Sequence, residues 1–133
     1  MSIKVGINGF GRIGRMVLRS IIENNKSDLQ VVAINNRGNS EVSSFLLKYD
    51  TIHGKLKAKI NHSEKSIGIN GKKISMIRET EISKIDWKKY KTDIVLECTG
   101  KFNTIEKSAQ HIKSGAKKVL VSAPCKGAIN IIY

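Results

Sequence analysis

The sequence predicts an α/β fold with a mostly parallel sheet, and three observations support this prediction. Residues 3–14, IKVGINGFGRIG, place an apolar strand-like run before a glycine-rich turn and a helical repeat. Residues 29–35 form a second, nearly continuous apolar run, as expected for a parallel strand covered on both faces. Strand, helix and strand fit into about 33 residues, the size of one βαβ unit. The expected fold is therefore a Rossmann-type, doubly wound sheet with right-handed crossovers.

Two helices are predicted in the first half of the chain. The first runs from the glycine turn to the polar residues 24–26, and its apolar positions have helical spacing: Ile13, Met16, Val17 and Ile21. The second is expected to begin at Asn39 or Ser40, because these residue types accept hydrogen bonds from free helix N–H groups. The positions expected on its buried face also follow helical spacing: Val42, Phe45, Leu46 and Tyr49.

The parallel pattern is interrupted between residues 56 and 77. Apolar and polar residues alternate at 56–60, which predicts an exposed antiparallel strand. Asn70-Gly71 then separates two further alternating runs, and this dipeptide strongly favours a two-residue hairpin turn. A small antiparallel hairpin excursion is therefore expected beside the parallel sheet.

Parallel character returns in the last third of the chain. Apolar runs predict strands at 93–98 and 119–122, and the start of another at 129–133. Between the first two runs, Asn103 and Glu106 have the spacing of a capping box, and Gly115 stands where a residue following a helix is expected. The residues expected to line the buried face of this helix are Ile105, Ala109 and Ile112.

Composition and charge narrow the class of protein. A hydrophobic fraction of 40% with one proline suits a single domain over residues 1–133, and no apolar run reaches the ~18 residues of a membrane helix. The N-terminal MSIKVGING enters a strand at once, so no signal peptide is expected and a cytoplasmic location is the default. The net charge is +13, but the lysines are scattered and aromatic residues are few. A solvated basic surface is therefore favoured over a nucleic-acid interface.

The glycine turn at residues 9–14 carries the main functional signal. It fits the pattern G-x-G-x-x-G between a strand and a helix. In that context Gly9 allows the tight turn, Gly11 lets the backbone approach a pyrophosphate, and Gly14 lets helix and strand pack closely. Free N–H groups and the helix dipole at the same place attract phosphate. The motif predicts a dinucleotide site, against the alternative of a turn without a ligand.

The end of the second strand departs from this fingerprint. An Asp or Glu normally stands there, about 20 residues after the glycines, and binds the ribose hydroxyls. Here the place holds Asn36 followed by Arg37. An amide does not repel a 2′-phosphate and a guanidinium matches its geometry, which favours NADP. Alternatively Asn36 binds the ribose of NAD while Arg37 points to water, so both cofactors stay open.

Longer motifs resemble one enzyme family. They are VGINGFGRIGR at 5–15, LLKYDTIHGK at 46–55, LECTGKF at 96–102 and HIKSGAKKVLVSAPCKG at 111–127. In this order and spacing they resemble phosphorylating glyceraldehyde-3-phosphate dehydrogenase over essentially the whole chain. The related erythrose-4-phosphate dehydrogenase shares much of the pattern and stays open as an alternative.

The resemblance implies a set of positions that contact NAD or NADP. The loop residues and the amides that would meet the pyrophosphate are Asn8, Gly9, Phe10, Gly11, Arg12 and Ile13. Asn36 would stand at the ribose. The positions that would line the rest of the cofactor are Thr80, Thr99, Gly100, Phe102 and Ser122. Thr80 stands where many members have an arginine, so its implied contact is through the backbone carbonyl.

The resemblance also implies chemistry whose residues are not found here. Members oxidise glyceraldehyde 3-phosphate, with phosphate and NAD(P), to 1,3-bisphosphoglycerate in glycolysis, using a cysteine nucleophile and a histidine base. The family's nucleophile lies in an S-x-x-C-T-T-N motif, which does not occur in this sequence. Cys98 and Cys125 are expected to be ordinary free thiols, and His53, His62 and His111 are assigned no catalytic role. No metal site is predicted.

These points define one expected function and two alternatives. The chain is expected to be the dinucleotide-binding part of an oxidoreductase, a fragment without the catalytic domain and inactive alone. The full enzyme would bind a phosphorylated aldehyde and would be a homotetramer, as is typical of the family. The alternatives are a stand-alone dinucleotide-binding module without catalysis and, ranked last, a basic nucleic-acid binder.

Overall fold

The structure, a computed structural model, describes residues 2–24 and 28–131. Its strands are β1 (Ile3–Asn8), β2 (Leu29–Asn35), β3 (Tyr49–Asp50), β4 (Gly54–Lys55), β5 (Ile60–Ser63), β6 (Ser66–Ile69), β7 (Lys72–Ile77), β8 (Ile94–Glu97) and β9 (Lys118–Val121). Its helices are α1 (Arg12–Glu23), α2 (Ser40–Lys48), α3 (Ile105–Ser108) and α4 (Gln110–Lys113), with a 3-10 turn at Ile82–Lys84. No helix in this part of the chain has both the length and the apolar character that a membrane span requires.

The main sheet has a parallel centre and an antiparallel edge. Its strand order is β5-β6-β7-β2-β1-β8-β9. The strands from β7 to β9 in this order pair in parallel, whereas β5 and β6 pair antiparallel beside β7. β6 and β7 are joined by Asn70-Gly71, and both residues have positive φ, as a type I′ turn requires. The predicted Rossmann-type fold and its hairpin excursion are confirmed.

The core lies on both faces of the central strands. One buried cluster contains Ile7, Leu18 and Ile34, and a second contains Ala33, Val95 and Trp87. The neighbouring β2 residues Ala33 and Ile34 belong to different clusters because successive side chains of a strand point to opposite faces. This explains why β2 reads as a continuous apolar run.

The predicted buried face of α2 is wrong. Its buried residues are Ser40, Ser43, Ser44 and Leu47. The four residues expected to be buried are exposed, with exposed fractions from 38% for Leu46 to 60% for Phe45; the others are Val42 and Tyr49. α2 lies against β5 and β6, and the Ser40 hydroxyl donates a hydrogen bond to the Ser63 carbonyl of β5. Small polar side chains therefore allow the close contact that the larger apolar face would prevent. Asn39 caps this helix through a 2.8 Å bond to the Val42 N–H, as predicted.

The helical segment before β9 also differs from the prediction. Thr104, one residue after the expected Asn103, accepts the capping hydrogen bond from the Lys107 N–H at 3.2 Å. The Asn103 amide instead donates to the Gly100 carbonyl at 2.8 Å. The buried residues are Ser108 and His111, whereas Ile105 and Ile112 are exposed and Ala109 is half-buried. Gly115, with φ of +115°, follows the helix as predicted.

Three smaller differences concern element bounds. Residues 56–60 do not form a strand up to β5, because Leu56 turns its side chain into the core and its N–H donates to the Lys48 carbonyl. Residues 129–131 are not in a strand, and the rest of that predicted strand, 132–133, lies outside the described residues. α1 ends close to the predicted position, although residues 25–26 of the expected terminator also lie outside them.

Candidate functional site

A pocket lies at the carboxyl ends of β1, β2, β7 and β8. This is the edge at which open α/β sheets bind ligands. Most positions predicted from the resemblance line it together: Asn8, Gly9, Phe10, Gly11, Asn36, Thr80, Thr99 and Phe102. The pocket also contains Arg37, Lys101 and Glu79, so the cations of its lining outnumber the acids. The structure thus brings residues from distant parts of the sequence to one site.

The remaining predicted positions, apart from Ser122, lie beside this pocket. Arg12 and Ile13 form the first turn of α1, and the Arg12 guanidinium makes a 3.2 Å ion pair with Asp50. Gly100 belongs to the same loop as Thr99. Ser122 lines a different, apolar cavity beneath α3 and α4. Among the predicted positions, Ser122 is therefore the one that lines a cavity other than this pocket.

The glycine turn has the geometry that its three predicted tasks require. Gly9 has a φ of +94°, and a Cβ there would lie 2.9 Å from the Thr99 nitrogen. A Cβ on Gly14 would collide with the Gly9 carbonyl oxygen, so α1 packs directly on the turn. A Cβ on Gly11 would meet nothing within 4 Å. The space above Gly11 is open to a ligand.

The N-terminus of α1 is suited to an anion. Gly11 is the N-cap residue, it makes no side-chain capping bond, and no acidic residue lies in the first turn. The first N–H groups of a helix have no intrahelical partner, and the helix dipole places positive charge beside them. A phosphate group above Gly11 would satisfy both.

Asn36 is partly engaged by the protein. Its side-chain Nδ2 donates to the Ser43 hydroxyl at 3.3 Å, and its backbone N–H donates to the Ile77 carbonyl at 3.0 Å. Arg37 is exposed, and its guanidinium has no ion pair within residues 2–24 and 28–131. The end of β2 therefore presents an amide and an unpaired cation.

The floor of the pocket is a buried hydrogen-bond network that sequence reasoning missed. Glu97, only 1% exposed, accepts from Asn8 Nδ2 at 2.5 Å and from His111 Nε2 at 2.9 Å. Its second carboxylate oxygen accepts from the Thr99 N–H at 2.9 Å and from the Thr99 hydroxyl at 2.6 Å. Asn35 Nδ2 donates to Asn8 Oδ1 at 2.8 Å. The signal was present in the sequence, because an acid inside the apolar strand DIVLEC needs buried partners.

The pKa values of Glu97 and its neighbour Cys98 shift in opposite directions. Burial acts to raise the pKa of Glu97, but the hydrogen bonds it accepts outweigh burial and bring the pKa below its ordinary value. Burial raises the pKa of the Cys98 thiol, opposed by a hydrogen bond from Ser122 and assisted by the charge of Glu97. At neutral pH Glu97 is an anion, and Cys98 is a protonated thiol with little nucleophilic character.

Together the fold and the pocket define a dinucleotide-binding α/β domain, with a glycine turn between β1 and α1 and a ligand edge at the strand ends. The family model described as "Glyceraldehyde 3-phosphate dehydrogenase, NAD binding domain" matches residues 3–105. The chain belongs to this family, which confirms the resemblance seen in its motifs.

Individual relatives agree with the family match. The chain is 47% identical over 126 residues to glyceraldehyde-3-phosphate dehydrogenase of Streptomyces coelicolor, covering 95% of this chain and 37% of that protein. It is 49% identical to glyceraldehyde-3-phosphate dehydrogenase 1 of Giardia intestinalis, covering 96% and 38%. It is 46% identical to glyceraldehyde-3-phosphate dehydrogenase 2 of Bacillus subtilis, covering 95% and 36%. The chain thus spans well under half the length of these relatives.

Proposed function

We propose that the pocket at the carboxyl ends of β1, β2, β7 and β8 binds NAD or NADP. The observation that carries this proposal is the open space above Gly11 at the uncapped N-terminus of α1, inside a pocket lined by the predicted positions. The N–H groups at this helix end would hold the pyrophosphate. Thr80, Thr99 and Phe102 would line the remainder of the cofactor, with Gly100 in the Thr99 loop and Ser122 further away at the end of β9.

We further propose that the domain over residues 1–133 supplies the cofactor half of a glyceraldehyde-3-phosphate dehydrogenase. The bound nicotinamide would accept hydride from the aldehyde substrate. The residues of this chain would bind and orient the dinucleotide, and the cations Arg37 and Lys101 in the pocket lining would attract its phosphates. The names of the relatives support glyceraldehyde 3-phosphate as the substrate. A place in glycolysis and a homotetrameric full enzyme remain proposals that rest on the family resemblance.

The chain alone is proposed to lack turnover. The sequence contains no S-x-x-C-T-T-N motif, and the Cys98 thiol is protonated at neutral pH because burial raises its pKa. Cys125 is buried. A cytoplasmic location stays a prediction, supported by two free thiols, since disulfides are rare in that compartment.

The test of cofactor binding is a calorimetric titration of the 133-residue chain with NAD and with NADP. Its matched variant is Gly11→Val, because an added Cβ at this position would meet nothing within 4 Å and Gly11 has an ordinary φ of −76°. We expect the variant to lose at least about tenfold in affinity, equivalent to ~1.4 kcal/mol, while its thermal midpoint falls slightly because Val is a poorer N-cap residue than Gly. Equal affinities of the variant and the wild-type chain would contradict the proposed pyrophosphate position.

A further inference from the structure

We propose that Glu97 is the positioning residue of the dinucleotide pocket: its buried carboxylate is the common acceptor that orients Asn8 and the Thr99 loop. The inference rests on the proposed function, since it assigns a task within that pocket. Glu97 does not line the pocket itself. It therefore acts through the residues that do.

The argument begins at one end of the network, at Trp87. The indole Nε1–H of Trp87 donates to His111 Nδ1 at 3.0 Å. An indole nitrogen is a donor only, so His111 Nδ1 carries no proton. The remaining imidazole proton is on Nε2, which lies 2.9 Å from Glu97 Oε1. His111 is therefore a neutral imidazole that donates to Glu97.

The other end of the network is equally fixed, at Glu79. Its backbone N–H donates to Asn35 Oδ1 at 2.8 Å, and a backbone N–H cannot accept. The Asn35 amide nitrogen must then donate, and it reaches both the Glu79 carbonyl at 3.0 Å and Asn8 Oδ1 at 2.8 Å. Asn8 in turn can present only its Nδ2–H to Glu97.

Two chains of donors therefore converge on one side chain. The Trp87 indole determines which atoms donate on the side of α4. The Glu79 backbone N–H determines which atoms donate on the side of the loop after β7. The Thr99 N–H adds a donor whose polarity is also fixed. Only a group that accepts on both oxygens satisfies all of them, and among buried side chains that is a carboxylate. Gln at position 97 would turn an N–H₂ group towards other donors.

The consequence for the pocket is geometric. Asn8 and Thr99 stand on neighbouring strand ends, and the Thr99 hydroxyl accepts from the Lys101 N–H at 3.1 Å, which continues the loop. Through Asn35 the same network holds the backbone of Glu79 beside Thr80. Glu97 thus sets the relative positions of three pocket walls.

The test compares Glu97→Gln with two controls in the 133-residue chain. Glu64→Gln makes the same chemical change at an exposed residue outside the network. Ile69→Ala weakens the core at β6, also outside the network. It is the control for any loss of affinity that comes from lower overall stability. Dissociation constants for NAD and NADP are measured below the unfolding transition of every variant. Amide hydrogen exchange at Thr99 and Lys101, without ligand, reports the order of the loop.

We expect Glu97→Gln to weaken binding of the better cofactor at least about tenfold, because the buried donors left without an acceptor would move Asn8 and the Thr99 loop from their positions in the pocket wall. Exchange at Thr99 should accelerate. Glu64→Gln and Ile69→Ala should change the affinity less than about twofold. An affinity of Glu97→Gln within twofold of wild type, or an equal loss in Ile69→Ala, would overturn the inference.

Two further outcomes are decided by separate measurements. If the wild-type chain binds neither cofactor, the proposed function fails, and the exchange rates of Thr99 alone decide whether Glu97 orders the loop. If Glu97→Gln does not fold, His111→Leu replaces it, since His111 does not line the pocket and supplies one donor to Glu97. We then expect about threefold weaker binding, restored by His111→Gln, which retains a donor. Unchanged binding in His111→Leu would overturn the inference.

Discussion

The floor of the pocket and the outer face of α2 differ in which side chains are buried: polar side chains are buried in the floor, whereas apolar side chains are exposed on α2. In the floor, Glu97 and His111 are buried and each makes more than one hydrogen bond. On α2, Val42 and Phe45 are at least half exposed while Ser43 and Ser44 are buried. The difference shows that hydrogen-bond partners and space, rather than hydropathy alone, decide which side chains lie inside.

The two regions also differ in what they specify. A buried network with fixed donor polarity permits one arrangement of its side chains, which is what a binding site requires. An exposed apolar face has no such constraint, and patches of this kind are uncommon on isolated monomers. The following predictions compare these regions through variants whose effects differ in size.

The largest effect is expected at Trp87, which belongs to both the second core cluster and the network. Trp87 is fully buried. Trp87→Ala should lower the free energy of unfolding by about 3–5 kcal/mol, because it leaves a cavity and removes the donor to His111. Trp87→Phe is the control, since it keeps most of the packing and loses only the N–H. Chemical denaturation measures both, and equal losses would mean that the hydrogen bond, not the packing, dominates.

The next effect compares two residues of α2. Leu47→Ala should cost about 2–5 kcal/mol, because Leu47 is fully buried in the first core cluster. Phe45→Ala, on the exposed face of the same helix, should change stability by less than ~0.5 kcal/mol. Denaturation of both variants under the same conditions checks the orientation of α2. A larger loss for Phe45→Ala would restore the orientation expected from helical periodicity.

The orientation of α2 illustrates how far sequence reasoning reaches. Periodicity shows that the apolar and the serine residues of α2 lie on different faces, but it does not show which face is buried. The serine face is buried because β5 and β6 leave little space beside it. That space depends on the antiparallel hairpin, which is a contact between distant parts of the chain. Local signals performed better: the glycine turn, the Asn70-Gly71 hairpin and the Asn39 cap depend on nearby residues only, and each lies where it was predicted.

In the candidate site, too, features that depend on local sequence were predictable, whereas contacts between distant residues were not. Its rim was predictable because motif residues stand at the strand ends, and most of them line one pocket. Its floor was not, because the pairing of Glu97 with His111 joins β8 to α4 across 14 residues, and with Asn8 across 89. A lone acid in an apolar strand indicates that partners exist, but sequence does not say which they are.

An acid titration should distinguish the network from the rest of the chain. The pKa of Glu97 is lowered in the folded state, since its accepted hydrogen bonds outweigh the effect of burial. The unfolded chain therefore binds the proton more tightly, so this stabilisation is complete above the ordinary pKa and is lost as pH falls through the lowered value. Asp93 and Asp50 shift in the same direction.

Glu97→Gln isolates the contribution of this one carboxyl group. The stability difference between wild type and Glu97→Gln should be largest near neutral pH, above the ordinary carboxyl pKa, and should shrink in acid, where protonation of the carboxyl group favours the unfolded chain. Denaturation midpoints across this range measure it, with Glu64→Gln as the control that should follow wild type. A difference independent of pH would mean that the charge of Glu97 does not stabilise the fold.

The smallest effect is expected for cofactor choice at the end of β2. Asn36→Asp would place a carboxylate beside the position of the adenosine ribose, where it can accept from ribose hydroxyls and from the Ser43 hydroxyl that now accepts from Asn36. It would repel a 2′-phosphate by ~1 kcal/mol across solvent, so the affinity ratio should move towards NAD by about fivefold. Arg37→Ala should weaken binding of NADP more than binding of NAD, whereas Lys57→Ala, a change of the same charge at an exposed site outside the pocket, should affect neither cofactor. If Asn36→Asp leaves the ratio of the two dissociation constants unchanged, the amide at this position does not control the choice between NAD and NADP, and Arg37 becomes the residue whose variant decides it.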